Sequence, residues 1–142
     1  RLGAVQALYQ MDLAGTDVGE TLAQFSSRAA GNNFDDGECG EADYKFLVEI
    51  VDGTVREQAT IDPFVDKQLD TEWPLHRLDA TIRAIIRAAA YELMFMERVP
   101  ARVTIAEYVG VTNAFYEGDE PKFVNGVLDA LARKRRPEEF AA

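Results

Sequence analysis

One cysteine, one histidine and one tryptophan in 142 residues leave little from which to build an active site. Cys39 alone cannot form an internal disulfide. With no basic neighbour in sequence to lower its pKa, it reads as an inert thiol. His76 has no Cys, Ser or carboxylate at a motif spacing, so a surface or capping histidine is the plain reading. The carboxylates do not fall at Glu-x-x-His spacing, and the ten glycines form neither a phosphate loop nor GxGxxG. These absences point to no metal, no cofactor and no catalysis. No apolar run approaches the roughly 20 residues that span a bilayer, and no signal-type stretch is present. With a single thiol, that favours the reducing cytoplasm and no membrane association. Cations are also scarce: 15 Lys and Arg against 25 Asp and Glu give a net charge of −10, which excludes coating nucleic acid by bulk electrostatics. No alternating strand pattern appears. The chain opens on Arg1, already inside a helical pattern, so further residues are expected before it.

What is present is helical periodicity in a chain sized for one domain, residues 1–142, with 47% hydrophobic residues. The stretch Leu78 to Glu97 organises it. Leu78, Ile82, Ile85, Ile86, Ala89, Leu93 and Met96 recur at helical spacing and make a wide apolar stripe. Arg83, Arg87 and Tyr91, four apart, spiral beside it, and Ala84 and Ala88 leave room for a close neighbour. Before it, Leu2 to Leu13 forms a helix stopped at Ala14-Gly15, with Tyr9 near its apolar face. Thr16 or Asp17 caps a second helix carrying Val18, Leu22 and Phe25. Gly31 to Gly37 is a loop by composition. Asp43 opens a third helix whose interior Gly53, at about 1 kcal/mol against it, requires a close neighbour. A fourth starts at Thr60 or Asp62, with Pro63 in its first turn. After Val99-Pro100, a helix beginning near Thr104 carries Ile105, Tyr108, Val109, Thr112 and Phe115. Asp119 caps the last helix, whose basic tail then frays. The expected fold is all-α, about seven helices packed around the central one.

Basic residues gather locally, at Arg77 to Arg102 and at Arg133-Lys134-Arg135-Arg136. Lys122 and Asn125 project from the first turn of the last helix beside Phe123. A helix N-terminus with an aromatic, a lysine and an amide suits single-stranded RNA. The plain alternative is that Phe123 is core, Lys122 solvated and Asn125 a surface amide.

The run Asp119 to Asp129 (DEPKFVNGVLD), the run Ala4 to Gln10 (AVQALYQ), the Arg83 to Leu93 block, and Pro100 with Ile105-Ala106-Glu107 resemble, in that order, the NusB family of bacterial transcription antitermination factors. The resemblance implies that the helices form two small bundles (about 1–70 and 75–136) around a long central helix. It further implies binding of single-stranded boxA RNA in leader and ribosomal RNA, jointly with the small-subunit ribosomal protein that serves as NusE. The assembly then helps RNA polymerase read through terminators. It also implies site residues. Arg1 survives from an arginine-rich run, and Gln6 and Tyr9 face RNA unless Tyr9 packs on the central helix. Lys122 and Asn125 meet RNA, Phe123 stacks or joins the core, and Asp119 caps or meets a partner. Arg83, Arg87, Tyr91 and Glu92 face the ribosomal protein, or Arg87 is instead a buried ion-pair partner tying the bundles.

The chain departs from the family at Ala106, where an Asn is usual, and at Glu120, where a Ser is usual and a negative charge now flanks the RNA site. Two other readings stand beside it. One is a NusB-like domain detached from a ribosomal RNA methyltransferase, against which the chain end at Ala142 counts. The other is a helical scaffold that binds only proteins, a second copy of itself (a homodimer) among them.

Overall fold

The computed structural model describes residues 1–15, 17–23 and 41–140. Thr16, Phe25, the Gly31 to Gly37 loop and Cys39, all of which entered the expectations above, lie outside them. The helices are α1 (Leu2–Ala14), α2 (residues 18–23), α3 (Glu41–Arg56), α4 (Gln58–Asp66), α5 (Ala80–Phe95), α6 (Ala101–Phe115) and α7 (Glu120–Arg135). Single 3₁₀ turns cover Leu75–Arg77 and Pro137–Glu139, and no strand occurs among the described residues. No helix there is long and apolar enough to cross a membrane.

Local chemistry sets most boundaries. Gly15 takes the left-handed conformation (φ +69°) and donates its N–H to Met11, closing α1 as glycine best can. The Asp17 carboxylate accepts the Glu20 N–H at 2.7 Å and so caps α2. The fourth helix differs from expectation. It starts at Gln58, with Glu57 as its cap, and Pro63 lies inside it rather than in its first turn. Pro63 and Ala59, whose carbonyl loses its partner, are both exposed, so water can take that carbonyl. The sixth helix begins at Ala101, three residues before Thr104, directly after Pro100, and Thr104 belongs to its buried face.

α5 is the hub. It packs against α1, α3, α4, α6 and α7. Eleven of its sixteen residues are buried, including Ala84, Ala88, Ala89 and Ala90. Small residues on so much of the circumference let several helices approach at once. The required close neighbour of Gly53 is Tyr91, since a Cβ at Gly53 would fall 2.1 Å from its ring.

The basic tail does not fray. Arg136 is buried at 1% exposure and binds the end of α5. Its guanidinium donates to the carbonyls of Leu93 (2.8 Å), Glu92 (2.9 Å), Met96 (2.9 Å) and Val99 (2.6 Å) and to Glu139 (3.0 Å). Arg135 adds two bonds to Met94. A helix C-terminus leaves four carbonyls without partners and carries partial negative charge, so a buried one needs donors of this kind. Glu139 in turn accepts the Ala101 N–H at 2.9 Å. That bond, against a smaller opposing effect of burial and with help from Arg136, holds its carboxyl below the ordinary value.

Two substitutions test this frame by thermal or urea unfolding. Gly53→Ala should destabilise despite its better helix propensity, by about 1–3 kcal/mol, because the new methyl overlaps the Tyr91 ring. Arg136→Met should cost at least about 3 kcal/mol by stranding several buried carbonyls, and Arg136→Lys should not rescue it, since one ammonium cannot reach the same carbonyl set. Because Glu139 has a depressed folded pKa, the unfolded chain binds more protons as pH falls. Its contribution is therefore present above the ordinary value of 4.5 and lost below it, and Glu139→Gln should flatten that acid limb.

Candidate nucleic-acid interface

The polar edge of α5 faces inward. Arg83 donates to Asp12 of α1 at 2.5 and 3.0 Å and to the carbonyls of His76 and Leu78. Arg87 forms a two-pronged pair with Asp62 of α4 at 2.8 and 3.0 Å. Tyr91 is buried against Gly53 of α3 and stacks on Phe95 at 5.5 Å. Glu92 is fully buried and accepts both prongs of Arg1, each at 3.1 Å. Each of the four residues thus holds a helix of the N-terminal bundle. Of the two uses open for Arg87, the structure contains the ion pair.

The outer face of α1 presents Gln6 and Tyr9, both exposed, along a groove of about 380 Å³ completed by Thr81 and Phe115. Tyr9 therefore borders α5 without entering the core. Phe115, expected in the apolar stripe of α6, is 42% exposed because the helix ends there and its last turn overhangs the packed face.

At the start of α7 the sequence trio divides. Phe123 is 41% exposed, so it is not core. It lines a groove of about 510 Å³ with Trp73, Leu69, Leu78 and Ile82. Asn125 turns to the other side, toward Arg102, Arg133 and Phe140. Lys122 is exposed. Asp119 occupies the cap position of α7, but its side chain makes no capping bond; it borders the Phe123 groove with Asp70, Asp79 and Glu120. Four carboxylates thus surround an apolar floor.

The two grooves flank the N-terminal end of α5, where Asp79 and Ile82 line one and Thr81 the other. Exposed aromatics Tyr9, Phe115, Trp73 and Phe123 stand around that end. Trp73 and Phe115 were not among the sequence candidates. Trp73 sits beside Pro74 in a hinge, where an unburied tryptophan is itself a signal; nothing in the period of α6 separated Phe115 from the core. Arg77 lies over the Trp73 ring at 5.2 Å. Tyr116 donates its hydroxyl to Asp79, and partial burial together with that carboxylate raises its pKa to about 12. Tyr116 therefore stays a neutral donor fastening the end of α6 to the start of α5. Chemically, the surface offers stacking faces and amide, hydroxyl and ammonium donors on one side, and an acid-rimmed apolar slot on the other.

The model of the NusB family matches residues 1–133. A transcription antitermination protein NusB of Rhodopseudomonas palustris (strain TIE-1) is 50% identical over 141 residues, spanning 99% of this chain and 81% of that protein. Among solved structures, T. maritima NusB superposes with a TM-score of 0.81 at 26% identity, covering 98% of this chain and 92% of that one. A crystal structure of the antitermination factors NusB and NusE in complex with dsRNA gives 0.78 at 25% identity, covering 94% and 92%.

If Trp73 and Phe123 are surface groups, Trp73→Ala and Phe123→Ala should each change stability by no more than about 1 kcal/mol, against 3–5 kcal/mol for a buried aromatic. Urea denaturation of the two variants checks this.

Proposed function

The chain belongs to the NusB family, and on that premise we propose that it is an RNA-binding transcription antitermination factor of the cytoplasm. It takes up single-stranded boxA RNA together with the ribosomal protein NusE, and the assembly lets RNA polymerase read through terminators, chiefly in ribosomal RNA transcription.

The observation that carries this reading is the set of exposed aromatics around the N-terminal end of α5, with Gln6 and Lys122 on the neighbouring surfaces. Base stacking on aromatic faces is worth about 1–3 kcal/mol per base and needs no large positive field. It therefore suits a chain of net charge −10. Lys122 in the first turn of α7 adds a phosphate contact where the helix end already favours anions. The slot ringed by Asp70, Asp79, Asp119 and Glu120 repels RNA and suits a protein that offers an apolar anchor flanked by cations. Asp119 thus belongs to the protein partner and Phe123 lies on the boundary between the two ligands. A relative's complex holds NusB, NusE and RNA together, which supports joint binding here.

Fluorescence anisotropy with boxA RNA, with and without the ribosomal protein and at two salt concentrations, tests the proposal. Binding should tighten with the partner present and exceed that of scrambled and duplex RNA. Lys122→Ala should weaken it and lower the salt slope by about one. Equal affinity for the scrambled RNA with the partner present would overturn the proposal.

A further inference from the structure

We infer that Arg1 is an anchor rather than an RNA ligand, and that buried Glu92, by holding it, is a positioning residue for the RNA face of α1. The RNA part of this inference rests on the function proposed above; the anchoring part does not.

As the RNA ligand that the family resemblance implies, Arg1 would reach outward for phosphate. Instead its Nε and Nη2 both donate to Glu92, and its guanidinium lies 4.9 Å over the Phe46 ring of α3. The Arg1 side chain is 19% exposed and that of Glu92 not at all. A buried carboxylate has no water to fall back on, so the paired state is strongly held. The hydroxyl of Tyr108, buried beside it on α6, is a neutral neighbour, its pKa raised by burial and by the Glu92 carboxylate. Arg1 is therefore the cation that Glu92 depends on.

The second link, Asp12 to Arg83, has the opposite polarity. On α1 the cation comes first and the anion eleven residues later. On α5 the cation comes first and the anion nine residues later. At 1.5 Å per residue these spans are about 16 Å and 14 Å, so both links close only when the helices run antiparallel. Reversing α1 would set Arg1 against Arg83 and Asp12 against Glu92. The buried residues of α1, Ala4, Val5, Ala7 and Leu8, include two alanines, a smooth surface that does little to fix register by shape. Two links of opposite sense fix it instead, and Gln6 and Tyr9 lie between them.

The test uses the full-length chain with boxA RNA and the ribosomal protein, comparing R1K, R1M and E92Q with wild type. Lysine replaces arginine well as a phosphate ligand but cannot form the two-pronged pair. R1K, R1M and E92Q should each weaken RNA binding about fivefold to tenfold, the scale of one ordinary net hydrogen bond, with the salt slope unchanged. R1K binding like wild type, or R1M lowering the slope by about one while E92Q has no effect, would make Arg1 a phosphate ligand and overturn the inference. Amide hydrogen exchange supplies the arm that needs no RNA. Val5 to Leu8 should exchange at least about tenfold faster in R1K and E92Q, with α7 unchanged; unchanged exchange in α1 would sink the anchor. Faster exchange in a protein whose wild type binds no RNA would uphold the anchor while the proposed function fails.

Discussion

α5 packs against five other helices, and the carbonyl groups of its buried last turn, those of Glu92 and Leu93 among them, need donors within the protein. The buried guanidinium of Arg136 meets that constraint by donating to four carbonyls at and beyond the C-terminus of α5. Guanidinium suits the task because its donors lie in one plane, stay charged and are more weakly hydrated than an ammonium. Through Glu139, the same segment also satisfies the first N–H of α6. One short stretch after α7 therefore closes the α5–α6 corner, and the hydrophobic contacts of three helices depend on it.

The same enclosure explains the polar edge of α5. Polar groups on a helix without a solvent face need partners within the fold. Arg83, Arg87 and Glu92 find them on α1 and α4, and Tyr91 rests on the backbone of α3 at Gly53. What remains for ligands is the N-terminal end of α5, where α1, the end of α6 and the start of α7 leave aromatic side chains uncovered. The fold thus separates two jobs along one helix: its C-terminal end and edge hold the bundles together, and its N-terminal end presents a surface.

Much of the fold was legible in the sequence. The apolar period of α5 was wide enough to mark it as central, Gly15 marked a helix end, and Gly53 demanded a close neighbour that proved to be Tyr91. The site was less legible, because periodicity tells which residues share a face but not where the face stops being covered. Phe115 and Phe123 continue apolar stripes yet sit in terminal turns beyond the packed region. Arg136 was grouped with a basic surface run because charge counts carry no information about buried carbonyls. Pro63 looked like a helix start, and only the tight α3–α4 junction at Glu57 shows why the helix begins earlier. Glu92, one residue past the end of the polar spiral, could be placed in the interior only once its partner Arg1 was found ninety-one residues away.

Mapping amide chemical shifts of the labelled protein during titration with boxA RNA, in the presence of the ribosomal protein, tests the central claim most directly. Changes attributable to RNA should centre on Gln6 and Tyr9 of α1, the end of α6 near Phe115, and Lys122 and Phe123 at the start of α7. Changes centred on Arg133 to Arg136, with none around the N-terminal end of α5, would contradict the account.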